Sequence, residues 1–345
     1  MNIKISVIIP IRNEEAHIEK TLESIVNNNL IDEAIEILII DGLSNDNTCA
    51  IVVSFISKHP DINLKLLINE DRTVPYAMNL GIKESKGDII IRMDSHSIFP
   101  KNYINKIISS LKKYDADNVG GIILTKPHDN SLKSKAISIV SSHIFGVGNS
   151  YFRIGSNAKI KYVDTVPFGC YKREVFDIIG LYDTELTRNQ DDELNARLLN
   201  TGGKIVLIPS IKIKYFARES FKKLFDMFYQ YAYFKPLVNK KVKAPTSIRQ
   251  FVPLFFVLFL FSFPLTLLNN SYENLFIIVI CFYMLISFSL SLLVSRKHKD
   301  YGLLLYLIYG FFIIQFSYGY GYIKGILNFY ILNKTNKIKT INLSR

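Results

Sequence analysis

The first half of the chain alternates short apolar runs with stretches of helical spacing, a pattern that predicts strands and helices in turn. The apolar runs typical of buried strands are residues 3–9, 35–40, 64–68 and 88–94. The stretches between them predict helices that begin near residue 13, at residues 48–58 and at about 74–85. Because strands and helices alternate at short spacing, the sequence predicts a mostly parallel sheet with helices on its faces.

The final third of the chain is much more apolar and predicts membrane helices. Residues 219–234 have aromatic residues on one helical face and lysines on the other, which is typical of a helix at a membrane surface, with a buried core helix as the alternative. Residues 251–268 and 275–295 are long enough to cross a hydrocarbon layer about 30 Å thick. Residues 301–323 contain several glycines and a lysine, so they predict either a third crossing or a re-entrant or interfacial ending.

These patterns divide the chain into regions. We expect a catalytic domain at 1–216, an interfacial helix with a basic linker at 217–248, a membrane region at 249–327 and a basic tail at 328–345.

Polar residues follow each of the first four predicted strands where the strand ends. In open sheets of this kind, ligands bind beyond the carboxyl ends of the strands. The four strand ends therefore predict a single ligand site. Its candidate residues are Pro10, Arg12, Asn13 and Glu14 after the first strand, Asp41 after the second, Arg72 after the third, and Asp94 and His96 after the fourth.

Asp94 and His96 are candidate metal ligands. One residue separates them, and alternate residues of an extended backbone point the same way, so the two side chains could converge on one ion. Carboxylate and imidazole together suit Mn²⁺ or Mg²⁺ that also holds phosphate. The alternative interpretation is that Asp94 caps a turn and His96 is a surface residue.

The phosphate-binding motifs rich in glycine are absent from the sequence. Neither a G-x-G-x-x-G turn nor a G-x-x-x-x-G-K-[ST] loop occurs, which argues against an NAD enzyme or an ATPase. A nucleotide diphosphate held by a metal, without a glycine cradle, remains.

Charge and cysteine content point to a membrane and to a reducing compartment. The net charge is +12, and many basic residues lie between 212 and 249, just before the apolar region, which favours anionic lipid headgroups over nucleic acid. The three cysteines, Cys49, Cys170 and Cys281, have no paired spacing and predict no disulfide framework. The apolar run at the N-terminus is too short for a signal peptide, so we expect the soluble part in the cytoplasm.

Four segments together resemble the donor half of family 2 glycosyltransferases with the GT-A fold: residues 6–15, 41–44, 77–82 and 94–96. The chain departs from the usual motif at His96, where the family has a second Asp, and the lower negative charge favours Mn²⁺ over Mg²⁺. The resemblance implies that Asp94 and His96 hold the metal and that Arg72 reaches the phosphates. The nucleotide-sugar site that it implies comprises Pro10, Arg12, Asn13, Glu14, Asp41, Arg72 and Asp94.

Residues 190–198 predict a helix that begins with a cluster of acids. Acids at a helix N-terminus interact favourably with the macrodipole, and this is the preferred interpretation of Asp192. Asp191 differs because it falls on the catalytic Asp of the family's Glu-Asp motif, although Gln190 replaces the Glu. The resemblance, which is to the succinoglycan-type branch, implies that Asp191 is the general base. Residues assigned to the acceptor side are Gly169, Cys170, Asp192 and Gln230.

The sequence thus predicts an α/β chain with a GT-A, Rossmann-like sheet, an amphipathic interface helix and transmembrane helices in the cell membrane. The expected reaction is metal-dependent, inverting transfer of a sugar from a nucleotide diphosphate donor, a UDP-sugar, to a lipid-linked saccharide during surface or exopolysaccharide assembly. One alternative is sugar transfer to polyprenyl phosphate, as in dolichyl-phosphate-mannose-type enzymes. The other is a catalytically silent, nucleotide-binding membrane scaffold.

Overall fold

The computed structural model describes residues 4–28, 35–155 and 159–333, which form two compact units. The first unit comprises Met1–Leu124 and Tyr151–Tyr215, and the second comprises Thr125–Ser150 and Phe216–Arg345. The boundary at Tyr215 lies next to the expected end of the catalytic domain at residue 216. Residues 125–150, however, belong to the second unit. Most of the predicted basic tail lies outside the described residues.

The strands are β1 (Ile5–Ile11), β2 (Ile35–Asp41), β3 (Leu64–Ile68), β4 (Ile89–Arg92), β5 (Ser97–Ile98), β6 (Asn118–Lys126), β7 (Lys161–Tyr162), β8 (Cys170–Lys172) and β9 (Ile205–Phe216). The helices of the first unit are α1 (Ile18–Val26), α2 (Thr48–Lys58), α3 (Val74–Glu84), α4 (Tyr103–Lys113), α7 (Tyr151–Ile154), α8 (Glu174–Ile179) and α9 (Gln190–Asn200). Those of the second unit are α5 (Leu132–Val140), α6 (Ile144–Val147), α10 (Phe221–Val242), α11 (Phe251–Phe261), α12 (Asn270–His298) and α13 (Leu303–Ile326).

The strands form one sheet in the order β3-β2-β1-β4-β8-β6-β9-β5, with β7 beside β9. The pairs β1–β2, β1–β4 and β2–β3 are parallel, as the alternation of strands and helices predicts. Strand β8 runs antiparallel to β4 and β6, and β5 and β7 run antiparallel to β9. The sheet is therefore mixed, and its parallel part carries the predicted ligand edge.

The central strands are buried on both faces, which explains their continuous apolar sequence. In β1, Val7 and Ile9 face one core cluster and Ile8 faces the other. Helix α1 packs in the first cluster through Ile18 and Leu22. The second cluster includes residues of α3 and α9. Strand β1 is thus packed on both faces, and its pairing with β2 and β4 places the ends of these parallel strands side by side.

Helix α10 does not expose its apolar face, as a helix lying on a membrane surface would. Leu224 and Phe234 are fully buried, and α13 covers this face. Gly321 and Gly325 make the close approach possible, because a Cβ at these positions would lie 2.4 Å from Tyr229 O and 2.3 Å from Tyr233 O. The burial of this face against α13 agrees with the alternative of a packed helix for α10.

Among the described residues, two helices are long and apolar enough to cross a membrane: Asn270–His298, and Leu303–Ile331, in which α13 continues into a π turn. The second is continuous, so the glycines that suggested a re-entrant ending are instead helix-packing positions. The predicted span 251–268 is divided, since α11 ends at Phe261 and a 3₁₀ segment follows at Phe263–Leu268. Many large apolar side chains of α11 and α12 are exposed, among them Phe255 at 65% and Phe282 at 63%.

Candidate active site

The loops that follow β1 and β2 are bound to each other by side-chain hydrogen bonds. Asn13 N donates to Ser44 Oγ at 2.8 Å, and Asn45 N donates to Asn13 Oδ1 at 3.0 Å. The next residue of the first loop, Glu14, donates its backbone N–H to Thr48 Oγ1 at 2.7 Å. The first two strand ends therefore form one rigid rim.

Two of the side chains that are predicted to bind the nucleotide lie inside this rim. Asp41 is 1% exposed, and its carboxylate accepts from Ser44 N at 3.0 Å and from Ser44 Oγ at 2.5 Å. Glu14 is 2% exposed. The Asp41 carboxylate thus helps to hold its loop, and Asn13 has the same role through its amide oxygen.

Several site loops contain residues with left-handed backbone: Asn13 (φ 55°), Leu43 (φ 57°), Arg72 (φ 64°), Phe168 (φ 50°) and Asn189 (φ 59°). Positive φ is uncommon for residues with a side chain and tends to occur at functional sites. Gly42 lets the loop after β3 approach closely, because a Cβ there would lie 2.9 Å from Arg72 O. The Arg72 side chain is exposed above this contact.

Pro10 and Arg12 lie at the end of β1, beyond the last residue paired with β4, Ile8. Pro10 is buried, whereas Arg12 is half-buried. Arg12 Nε is buried and makes no hydrogen bond to a described residue. A buried donor of this kind is costly unless it is paired, so Arg12 is a suitable partner for an anionic or carbonyl ligand.

The Asp94–His96 segment is a turn, and the prediction of an extended backbone here was wrong. Strand β4 ends at Arg92, and Ser97 N donates to Asp94 O at 3.3 Å. The buried Thr21 hydroxyl of α1 donates to Ser95 O at 2.6 Å and fixes the turn. Asp94 and His96 nevertheless remain partly exposed, at 17% and 29% of their side chains.

His96 is held between two side chains. Its Nδ1 lies 3.6 Å from Glu14 Oε1, and its ring meets the edge of Tyr215 with centroids 5.3 Å apart. A carboxylate behind one ring nitrogen commonly orients a histidine whose other nitrogen binds a metal. Glu14 is thus placed to orient His96, a contact that the sequence did not suggest.

The site does not contain a closed metal cage. Within residues 4–28, 35–155 and 159–333, no three His, Cys, Asp or Glu side chains are grouped as metal ligands. Mg²⁺ and similar ions often take only one or two protein ligands when substrate phosphates supply the rest. With Asp94 and His96 as its only candidate protein ligands here, an ion would have to be shared with a diphosphate.

Arg92 joins the end of β4 to the start of α9. Its Nε and Nη2 donate to Asp94 Oδ1 and Oδ2 at 2.9 and 3.2 Å, and its Nη1 donates to both oxygens of Asp191 at 2.6 and 2.7 Å. Arg92 is 6% exposed, and a buried charge that loses its partner costs about 3–5 kcal/mol. The paired carboxylates therefore allow an arginine to remain in the core at this position.

Helix α9 is anchored by a buried amide. Asn195 accepts from Asn118 Nδ2 at 2.9 Å and from Tyr171 OH at 3.2 Å, and it donates to Thr165 Oγ1 at 2.9 Å. The loop before α9 is fixed by Asn79, whose amide exchanges two hydrogen bonds of 2.9 Å with the backbone of Tyr182. Asp191, in the first turn of α9, is thereby held beside Arg92.

Burial raises the pKa of the Asp191 carboxyl above its usual range. Arg92 opposes this shift in pKa by favouring the carboxylate, while the negative charges of Asp94 and Asp192 add to it. A raised pKa suits a base, because it makes the carboxylate a better proton acceptor. The side chain is one-third exposed, so a substrate can reach it.

Three of the four residues assigned to the acceptor side are buried. Cys170 is fully buried in the core, and burial raises the pKa of its thiol far above the usual value. Gly169 is buried too, since a Cβ there would lie 2.5 Å from the Tyr171 ring. Gln230 is 4% exposed within the second unit. Burial does not support substrate contact for these three, and only Asp192, half-buried beside Asp191, remains a candidate.

The sequence pattern did not indicate Arg92, Asn79 or Asn195 as residues of the site. Arg92 could have been recognised from the sequence, because it directly follows a run of isoleucines typical of a buried strand, and a charge in such a strand needs a partner. One partner, Asp94, is only two residues away, but the other, Asp191, lies 99 positions away, so local pattern could not identify it.

Comparison with known proteins gives a consistent result. A family model described as Glycosyl transferase family 2 matches residues 6–179. The dolichyl N-acetyl-alpha-D-glucosaminyl phosphate 3-beta-D-2,3-diacetamido-2,3-dideoxy-beta-D-glucuronosyltransferase of Methanococcus voltae is 31% identical over 329 residues, 94% of this chain and 97% of that protein. Succinoglycan biosynthesis protein ExoA of Rhizobium meliloti (strain 1021) is 26% identical over 250 residues, 72% of this chain and 74% of that protein.

Among solved structures, mannosyltransferase PcManGT from Pyrobaculum calidifontis, in complex with GDP-Man and Mn²⁺, is similar with a TM-score of 0.60. The match is 15% identical and covers 94% of this chain and 88% of that chain. At this identity the likeness concerns the fold, and it confirms the predicted GT-A architecture.

Proposed function

This chain belongs to glycosyl transferase family 2, and on that premise we propose that it transfers a sugar, with inversion, from a nucleotide diphosphate donor to a lipid-linked saccharide. The resemblance predicted from sequence is confirmed, and the chain is a glycosyltransferase that uses a nucleotide sugar. The proposed donor is a UDP-sugar, and the proposed role is surface or exopolysaccharide assembly.

One observation carries the proposal: the partly exposed carboxylates of Asp94 and Asp191 are joined through Arg92 at the carboxyl edge of the parallel strands. A single inverting displacement needs a base for the incoming hydroxyl and stabilisation of the leaving diphosphate. Asp191 is the proposed base and Asp94 the proposed donor-side ligand. Their connection in one cluster supports both roles.

The proposed donor site uses the rim of loops. Arg12 offers a buried donor without a described partner, and the exposed Arg72 side chain could reach the phosphates. Asp94 and His96 would hold Mn²⁺ or Mg²⁺, which when bound would stabilise negative charge on the departing diphosphate. The Mn²⁺ named in the PcManGT complex supports a divalent ion in this fold.

The proposed acceptor is a saccharide on a lipid carrier. The Methanococcus relative is named for transfer to position 3 of a dolichyl-phosphate-linked sugar, and this favours a sugar hydroxyl over a bare lipid phosphate as the acceptor. Succinoglycan biosynthesis, named for the Rhizobium relative, is also polysaccharide assembly.

The proposed location is the cell membrane, with the catalytic unit in the cytoplasm. The two candidate membrane helices in the described part of the chain and the exposed apolar side chains of α11 and α12 support membrane association. The basic end of α12 at Arg296–His298 supports a cytoplasmic position for the loop that follows.

A donor panel tests the proposal. Purified full-length protein is incubated with UDP-, GDP- and dTDP-sugars, Mn²⁺ and lipid extracts, and released nucleotide is measured. We expect release from one donor class that depends on the lipid fraction and yields a lengthened glycolipid. Release with polyprenyl phosphate alone would instead support the polyprenyl-phosphate transferase. Donor binding without turnover on any fraction would contradict the proposed activity.

A further inference from the structure

A single buried guanidinium contacts the two carboxylates that the proposed reaction assigns to different steps. Arg92 holds Asp94 through Nε and Nη2, and it holds Asp191 through Nη1. Asp94 belongs to the proposed donor side and Asp191 to the proposed acceptor side. Sugar transfer does not by itself require an arginine between them.

We propose that Arg92 is a positioning residue, which fixes the general base Asp191 relative to the donor site. The inference rests on the proposed function and deepens it, because it names the group that ties acceptor deprotonation to the bound donor.

The backbone of Arg92 is part of the sheet. Arg92 pairs with Ile8 in the central part of the sheet, and its N–H donates to Gly169 O at 3.0 Å. The guanidinium is thus attached to the rigid scaffold rather than to a loop. Nε and Nη2 of the planar group are held by Asp94, and this fixes the direction in which Nη1 faces Asp191, which a point charge would not.

Asp191 needs such support. It lies in the first turn of α9, next to Asn189, which has left-handed backbone. The Asp191 side chain is one-third exposed, so packing alone restricts it weakly. The two hydrogen bonds to Arg92 Nη1 select one orientation of the carboxylate.

The contact leaves both carboxylates able to act. Each carboxylate has about four acceptor positions, so Asp191 can still accept a proton and Asp94 can still bind a ligand. Each of the three guanidinium nitrogens already donates to Asp94 or Asp191, which favours a positioning role over a direct contact with the donor phosphates.

Arg92→Lys tests whether the geometry of the guanidinium matters beyond its charge, since lysine keeps the positive charge but lacks the planar set of donors. We expect kcat to fall at least about 30-fold, while the donor KM and the calorimetric affinity for Mn²⁺ with nucleotide diphosphate change less than about threefold. If Arg92 acts through Asp191, its replacement in an Asp191→Asn background should change kcat less than about twofold.

Arg197→Lys is a matched control on the same helix as Asp191. Arg197 Nε and Nη2 donate to Glu193 at 2.7 and 2.8 Å, so the lost interaction is of the same kind. Neither residue belongs to the proposed site. We expect a lower thermal unfolding midpoint with an unchanged kcat per folded molecule.

A second variant, Arg92→Ala, tests the inference if Arg92→Lys does not fold. In Arg92→Ala, added guanidinium ion should restore kcat, whereas ethylammonium, of equal charge, should not. Equal rescue by both ions would overturn the inference, because charge alone would then suffice.

The other outcomes are also decisive. Multiplying losses in the double variant, or a joint loss of donor affinity and kcat in Arg92→Lys, would show that Arg92 does not act through Asp191, and the proposed function would stand. Absence of nucleotide release by the unsubstituted protein with every donor would overturn the proposed function, and the inference with it.

Discussion

Both carboxylate oxygens of Asp191 lie within 2.7 Å of one nitrogen, Nη1 of Arg92. The two residues come from a helix start and a strand end that are 99 positions apart. Their pairing brings the predicted base to the edge where the predicted donor residues lie, and several testable consequences depend on it.

Replacement of Asp191 by Asn should reduce kcat at least about a hundredfold, because a positioned base contributes about 10²- to 10⁴-fold. Donor affinity should stay close to that of the unsubstituted protein, since the proposed donor ligands come from the strand ends. Steady-state kinetics and calorimetry provide the two measurements. Asp192→Asn is the control, and a larger loss there than in Asp191→Asn would shift the assigned base by one residue.

The acid limb of the kcat–pH profile should lie above the ordinary range of aspartate. Burial raises the pKa of Asp191, and a base is active only when deprotonated, so turnover falls as the pH drops through that raised pKa. Asp192→Asn should move the limb to lower pH, because the Asp192 charge contributes to the rise in pKa. An unmoved limb in Asp192→Asn would argue against Asp191 as the titrating group.

Asp94→Ala should abolish turnover, and His96→Ala should raise the Mn²⁺ concentration that gives half-maximal rate. The two side chains are the proposed protein ligands of the ion, and Glu14 lies 3.6 Å behind His96. Rates measured across a Mn²⁺ titration test both expectations. Full activity of Asp94→Ala in excess EDTA would remove the metal from the proposal.

A reporter fused after Arg296 should be cytoplasmic, and one inserted near Asn270 should be external. The expectation follows from the basic residues at the end of α12 and from their scarcity at its start. Protease protection in membrane vesicles gives an independent reading. The reverse pattern would place the catalytic unit away from nucleotide sugars.

Gly321→Ala should destabilise the second unit more than Gly310→Ala. A Cβ at Gly321 would lie 2.4 Å from Tyr229 O, so the backbone must move, whereas at Gly310 it would meet Val140 methyl groups at 3.1 Å. Overpacking of this kind costs about 1–3 kcal/mol. Thermal unfolding in detergent compares the variants, and equal midpoints would contradict the close contact between α10 and α13.

The local pattern of the sequence was sufficient for the parallel half of the sheet. Helix α2 and strand β3 begin and end where predicted, and α3 ends one residue early. Each has a clear apolar period and a turn or proline at its boundary. The candidate site followed from the rule that ligands bind at the carboxyl ends of such strands.

Features that depend on distant residues were not predicted. The turn at Asp94–His96 is fixed by Thr21 in α1, so the local appearance of a continuing strand was misleading. Cys170 lies beside a glycine in sequence, yet β8 inserts it between β4 and β6 in the core. In both cases the deciding contact comes from another element of the fold.

The packing of residues 125–150 against α13 also constrains the order in which the protein can be completed. Ile137 and Val140 of α5 lie in one apolar cluster with Leu307 and Phe311, and Gln315 Nε2 donates to Phe145 O at 2.9 Å across 170 positions. During translation the early segment leaves the ribosome long before α13 exists. The segment therefore cannot reach its final packing until almost the whole chain is made, so the second unit is completed only when α13 has been synthesised.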